Sequence, residues 1–244
     1  MRNVRLIVQY DGTDYAGYQG QPGCSTIQSE LQKALSSLLA EDVRVTGASR
    51  TDAGVHAKGQ VVSFTTQNVI PVERVTLALN ALLPRDIVCV ATEEASAEFH
   101  PQYAALRKQY SYRILNRELP SPFAARYSWH VRQVLDLPAM HEGASHLVGR
   151  HDFAAFRAAG GSAKTSIREI LSLEVVAQGD FVEVHVEGNG FLYMMVRIIV
   201  GTLVEVGLGR MTPPRVAEIL ASRDRGQAGT TAPPQGLTLV RIDY

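Results

Sequence analysis

Arg50-Thr51-Asp52-Ala53-Gly54-Val55-His56-Ala57 lies between two strand-like runs, Val43-Arg44-Val45-Thr46-Gly47 before it and Val61-Val62-Ser63-Phe64 after it. Asp52 therefore falls in a connection. Ala53 and Gly54 behind it add little bulk and let the backbone turn sharply, which leaves a carboxylate open to whatever approaches. Arg50, two residues earlier, is placed to favour the charged form of that carboxylate. An Asp ahead of a small residue and a glycine is also ordinary turn chemistry, so the octapeptide alone supports both readings.

Working outward from it, Val4, Leu6, Val8 and Tyr10 alternate as a strand that ends at Asp11-Gly12. Ser25 opens a helix with Gln28 at capping-box spacing and with Ile27, Leu31, Ala34, Leu35 and Leu38 on one face. On the other side, Pro71 stands at the first position of a helix carrying Val72, Val75, Leu79 and Leu82, and Ile87 to Val90 is a short strand. The order is β-α-β-β-α-β, the ferredoxin-like plan.

The same order runs again. Tyr110 to Leu115 reads as a strand and Leu137 to Leu147 as a helix. Ile170 to Val176 and Val182 to Val186 read as strands joined at Gly179-Asp180. Phe191 to Val206 reads as a helix, a short helix follows Thr212-Pro213-Pro214, and Leu237 to Ile242 is a last strand. Only element order repeats, not residues. The expected fold is α+β: two ferredoxin-like, RRM-like modules in tandem, residues 1–104 and 105–244, divided near His100-Pro101-Gln102. A catalytic cleft is expected between their sheets. Gly160-Gly161-Ser162-Ala163 and the segment from Gly226 to Gly236 read as mobile loops.

With 45% hydrophobic and 20% charged residues, the chain reads as a soluble globular protein. Phe191 to Val206 is interrupted by Arg197, Gly201 and Glu205 and is too short to span a bilayer. The opening residues carry no signal-peptide pattern, and neither Cys24 nor Cys89 has a metal-like or redox neighbour, which fits a reducing, cytoplasmic setting. The zero formal charge disfavours a protein coated with nucleic acid but leaves room for a local basic groove. Arg107, Lys108, Arg113, Arg117, Arg126 and Arg132 make such a neighbourhood, readable as a solvated face or as a phosphate track.

Several motifs fail on spacing. His141 and His146 are five residues apart and diverge on a helix, so they do not share a zinc ion. Lys164-Thr165 lacks both glycines of a phosphate-binding loop, and no Gly-x-Ser-x-Gly elbow occurs. His56 reads as a structural histidine. In Lys108-Gln109-Tyr110-Ser111-Tyr112-Arg113, alternation puts Lys108, Tyr110 and Tyr112 on one strand face and Arg113 on the other. Tyr112 belongs to a core, whereas a tyrosine beside cations also suits an unstacked base. Arg197, within an apolar helix, calls for an anionic partner such as Asp52, or else snorkels to the rim.

These residues resemble the tRNA pseudouridine synthase A family over nearly the whole chain. Tyr10-Asp11-Gly12 with Gly17-Tyr18-Gln19 is similar to its opening motif, and Arg50 to Ala57 to its catalytic signature. Lys108 to Arg113 resembles its Lys-x-Tyr-x-Tyr-Arg motif. Gly190-Phe191-Leu192-Tyr193-Met194-Met195-Val196-Arg197 resembles its third motif, and Gly236 to Val240 its closing strand. Tyr18 stands where the family commonly has Trp, and Ser49 where Gly often precedes the signature.

The resemblance implies an isomerase that converts uridine to pseudouridine at positions 38, 39 and 40 of the tRNA anticodon stem-loop. It would act as a homodimer, with no cofactor, no metal and no membrane. Asp52 would be the nucleophile, attacking the sugar carbon, or would act on a sugar proton to give a glycal-like intermediate. Arg50 and Arg197 would keep it charged, and Tyr110, Arg50 and Lys108 would hold the substrate. An RNA-binding module without chemistry is the rival reading. A small-molecule enzyme is a third, and it lacks any cofactor fingerprint.

Overall fold

The computed structural model describes residues 1–244, and the chain divides into two units. The first comprises residues 1–106 and 239–244; the second comprises residues 107–238. The architecture is mixed α+β, and no helix is long and apolar enough to cross a membrane.

In the first unit the expected order appears: β1 (Arg2–Tyr10), α1 (Ile27–Leu39), β2 (Thr46–Gly47), β3 (His56–Thr66), α2 (Val72–Asn80) and β4 (Ile87–Ala95). Antiparallel β1 is central, pairing Val4 with Phe64 and Leu6 with Val62 on β3, and Tyr10 with Ile87 on β4. The closing strand, β10 (Leu237–Asp243), lies beside β3. Val4, Leu6 and Val8 are fully buried, as their alternation requires. The β1 register shifts between Val8 and Tyr10 against β3, and such bulges re-aim a side chain.

Three local expectations change. The N-cap of α1 is Thr26 rather than Ser25: its hydroxyl accepts from the Ser29 N–H, and the Ser29 hydroxyl accepts from the Thr26 N–H. Gln28 is thereby released from capping, and Leu39 rather than Leu38 completes the buried row Ile27, Leu31, Leu35. The strand expected over 43–47 shrinks to Thr46–Gly47. Side chains of α1 take the backbone groups that a ladder would use: Ser36 accepts from Val43 N–H at 3.0 Å, Gln32 accepts from Val45 N–H at 3.3 Å, and Gln28 donates to the Val45 carbonyl at 2.9 Å. Pro71 is the N-cap of α2 rather than its first residue, and Leu82 lies beyond the helix, exposed.

The second unit runs β5 (Arg107–Asn116), β6 (Trp129–Val131), α3 (Leu137–Ser145), β7 (Gly149–Asp152), β8 (Ile167–Gln178), β9 (Phe181–Gly188), α4 (Met195–Gly207) and α5 (Pro213–Ser222). Its strands order as β5-β9-β8-β7, with β6 parallel to β5. β6 and β7 are three and four residues long, too short to carry a readable alternation.

The α4 helix is buried almost all round, which is how an apolar helix without a polar face is accommodated. It does not begin at Phe191. Met194 adopts a left-handed conformation (φ 58°), and a tight turn closes Met195 N–H onto the Leu192 carbonyl, so helical geometry starts only at Met195. The segment from Gly226 to Gly236 is pinned to α4 rather than loose. Gly229 N–H donates to the Thr202 hydroxyl, Ala232 N–H to the Arg197 carbonyl, and a side chain at Gly201 would collide with the Thr230 carbonyl.

Candidate active site

The Asp52 connection is held from three sides within the first unit. Gln60, fully buried on β3, donates through its amide nitrogen to the Ser49 carbonyl (2.6 Å) and to the Tyr10 hydroxyl (3.2 Å). Its oxygen accepts from the Ser49 N–H. The Tyr10 hydroxyl also shares a hydrogen bond of 2.8 Å with the Thr51 hydroxyl. The bulge in β1 aims Tyr10 at this position.

From the loop between β1 and α1, Tyr18 N–H donates to the Thr51 carbonyl at 3.0 Å. Gly17 packs against the main chain of Thr51 to Ala53 at φ 100°, so closely that a Cβ would come 2.9 Å from the Thr51 carbonyl oxygen. Only glycine satisfies both the left-handed backbone and the space. Beneath the turn, His56 Nδ1 accepts from the Gly12 N–H at 3.1 Å, which bears out its structural reading. The same nitrogen lies 3.1 Å from an Asp11 carboxylate oxygen.

The turn itself closes with Val55 N–H on the Asp52 carbonyl, and Gly54 takes φ 75°. The backbone is thus fixed while the Asp52 side chain stays half-buried. The turn expected of Asp52-Ala53-Gly54 is present, and it leaves the Asp52 side chain partly exposed.

Arg50 is exposed, and no ion pair joins it to Asp52. Thr51 tucks inward to Tyr10, while Arg50 instead lines a small concavity with Tyr18, Gln19, Gln28, Thr46, Gly47 and Gln102.

The remaining expected residues lie on the second unit. Lys108, Tyr110 and Tyr112 share a face of β5; Arg113 lies on the other, 3.7 Å from the Phe181 ring centroid. Tyr112 is fully buried, as expected, and its hydroxyl donates to the Pro233 carbonyl. Burial pushes that hydroxyl's pKa up, against the opposing pull of the nearby Arg197 guanidinium. Tyr110 is 6% exposed and sets its edge toward Phe191, ring centroids 5.3 Å apart. Burial, reinforced by repulsion from Arg168, holds the Lys108 ammonium down at about 8. Arg197, on the first turn of α4, donates from Nε to the Ala232 carbonyl at 2.7 Å.

Sequence reasoning missed Gln60, and it named Gly17 only within the opening motif, not its close approach to the Asp52 backbone. A glutamine within the strand run Gly59-Gln60-Val61-Val62 is a detectable signal, because a buried amide must find partners. No group of three or more His, Cys, Asp or Glu residues is arranged to hold a metal ion.

The family described as tRNA pseudouridine synthase matches residues 6–104 and 144–244. The proteins named tRNA pseudouridine synthase A from Thermoanaerobacter sp. (strain X514), Geobacter sulfurreducens and Acetivibrio thermocellus are 49%, 48% and 46% identical to the chain, each over its whole length and theirs. The clamped Asp52 connection and the strand bearing Tyr110 both fall within or between these matched segments, and the chain belongs to the tRNA pseudouridine synthase family, a family of isomerases.

Proposed function

We propose that this isomerase converts uridine to pseudouridine in tRNA, at positions 38, 39 and 40 of the anticodon stem-loop, with Asp52 as nucleophile and without a cofactor. The observation that carries this reading is the Asp52 connection: a half-buried carboxylate on a backbone immobilised by Gln60, Tyr10 and Gly17. Immobilisation serves a nucleophile, which must meet a sugar carbon at fixed distance and angle.

The steps balance without an outside reagent. An Asp52 carboxylate oxygen bonds to the ribose C1′ as the C1′–N1 bond breaks and uracil leaves with the electron pair. The base rotates, C5 bonds to C1′, and the carboxylate departs. The C5 hydrogen is lost as a proton, and N1 takes one up. Arg197 stabilises the negative charge that moves between carboxylate and base, and Arg50 acts on the incoming strand. A stem base must leave its stack, and Tyr110 with Lys108 receives it. The enzyme works as a homodimer in the cytoplasm.

The test is release of tritium from tRNA carrying 5-tritiated uridine. The protein should liberate tritium into water, and Asp52→Ala should bind the same tRNA and release none. A folded wild-type protein that binds tRNA yet releases nothing leaves only the RNA-binding reading.

A further inference from the structure

The concavity beside Arg50 is floored by a polar atom with nothing to bond. Tyr18 is 2% exposed, and its hydroxyl has no hydrogen-bond partner in the protein. A buried phenol in that state has given up its bonds to water without replacement, which native interiors seldom tolerate. Burial, with a smaller push from Tyr10, holds the hydroxyl's pKa well above the ordinary phenol value. The group therefore keeps its proton and can donate as well as accept.

The chain fixes the ring in place. Tyr18 N–H donates to the Thr51 carbonyl, and the Tyr18 carbonyl accepts from the Gln28 N–H at 2.9 Å. The hydroxyl end of the ring occupies the space that a side chain at Gly47 would need. Gln28, which also borders the concavity, spends both ends of its amide on the frame: it accepts from the Gly20 N–H at 2.8 Å and donates to the Val45 carbonyl at 2.9 Å. The frame is thus satisfied, and the Tyr18 hydroxyl within it is not.

Gln19, Arg50 and Gln102 complete the wall, all three exposed and all within the first unit. The volume is about 100 Å³, room for several waters or for one flat ring. A site for a phosphate alone calls for several cations, and Arg50 is the one cation here. Amides and a hydroxyl, which both donate and accept, suit the mixed edge of a nucleobase instead.

We infer that this concavity takes the base of a tRNA nucleotide adjoining the one that reacts, with the Tyr18 hydroxyl bonded to the base edge and Arg50 meeting the attached phosphate. This rests on the reading under Proposed function. Arg50 stands two residues before Asp52 on the same connection, so the strand that presents a uridine to Asp52 also passes Arg50. Proteins that read single-stranded RNA bond its unstacked bases along these edges.

Filter binding of tRNA to wild type and Tyr18→Phe at one fixed salt concentration, with thermal melts of both, tests it. Phenylalanine removes one oxygen that the protein itself does not use, so the variant should melt at the wild-type temperature or above it. It should bind tRNA about 3- to 10-fold more weakly, as expected for one lost hydrogen bond to the ligand. Equal affinity overturns the inference. A variant that melts lower, or does not fold, also overturns it, because the hydroxyl would then serve the fold.

Two further measurements are independent of that variant's stability. Gln102→Ala removes an exposed amide from the wall and should weaken tRNA binding by about threefold; unchanged affinity counts against the site. In wild-type protein labelled with 3-fluorotyrosine, the fluorine signal of Tyr18 should move on addition of tRNA and stay put with millimolar inorganic phosphate. No movement with tRNA, or the same movement with phosphate alone, would sink the idea. Wild-type protein that binds tRNA more tightly than Tyr18→Phe yet releases no tritium would instead defeat the proposed reaction and leave this site standing. Tritium release with equal affinities would do the reverse.

Discussion

Gln60 closes a two-bond ring with the backbone of Ser49, its amide nitrogen donating to the Ser49 carbonyl at 2.6 Å and its oxygen accepting from the Ser49 N–H at 3.2 Å. One fully buried side chain thereby anchors the strand side of the Asp52 connection. Gln60→Leu keeps the volume and removes every partner, leaving both Ser49 groups and the Tyr10 hydroxyl short of a bond. Stability should fall by about 2–4 kcal/mol in urea denaturation. Tritium release should lose about tenfold or more in kcat, while KM for tRNA stays within about threefold. A loss confined to stability would show that Asp52 does not depend on this anchor.

Gly17 and Gly23 both have positive φ, at 100° and 74°, but their surroundings differ. A Cβ at Gly17 strikes the Thr51 carbonyl, whereas nothing lies within 4 Å of one at Gly23. Gly23→Ala should cost only the backbone strain, about 1 kcal/mol. Gly17→Ala should cost about 2–4 kcal/mol and also lower kcat, because the backbone of Asp52 must shift. Thermal melts of the pair, set beside their rates, check this; equal effects would contradict it.

Lys108 gives a stability difference that depends on pH. Its folded-state pKa is about 8 against 10.5 for the free side chain. Below pH 8 both folded and unfolded chains hold the proton, and the full penalty for a buried ammonium persists, on the order of 2–3 kcal/mol. Between these two values the unfolded chain binds more protons, so stability rises with pH and the penalty fades. Lys108→Met should therefore be more stable than wild type at pH 7, with the gap closing towards pH 10. A gap independent of pH in denaturant titrations would rule out the ammonium as its source.

The two routes open to Asp52 differ at the ribose C2′ hydrogen. Direct attack on C1′ leaves that bond intact, whereas a glycal route breaks it. Substrate tRNA deuterated at C2′ should react with less than about a 1.3-fold slowing if Asp52 is the nucleophile, since only bonds broken in the rate-determining region give large effects. A several-fold slowing in single-turnover measurements would move Asp52 to the role of base.

Much of the fold was legible wherever an apolar rhythm ran long enough. β1, α1 and β9 were read at the right places because each buries one regular face, and β8 from its apolar run, although only Ile170 and Leu173 of it are buried. One failure has a clear cause: around residues 43–45, side chains took over work that backbone ladders usually do. Val43 and Val45 look like strand residues and are buried like them, yet Ser36, Gln32 and Gln28 hold their backbone groups. At the site, the Asp52 turn was visible in its small residues, and Tyr112 was rightly given to the core. The direction taken by Arg50 was not visible, because it follows from Thr51 turning inward to a tyrosine 41 residues upstream. The close approach of Gly17 was hidden for the same reason, its neighbour being remote in sequence.

The last residues, 239–244, pack with the first unit, although residues 107–238 intervene. During synthesis, the ribosome must therefore complete the whole intervening segment before β10 can settle beside β3. Until then a nascent chain presents β3 with a hydrogen-bonding margin that β2 and Ala48 cover only around Val61 to Ser63, the kind of surface that invites association with other unfinished chains. Loss of residues 239–244 would thus spoil the unit made first.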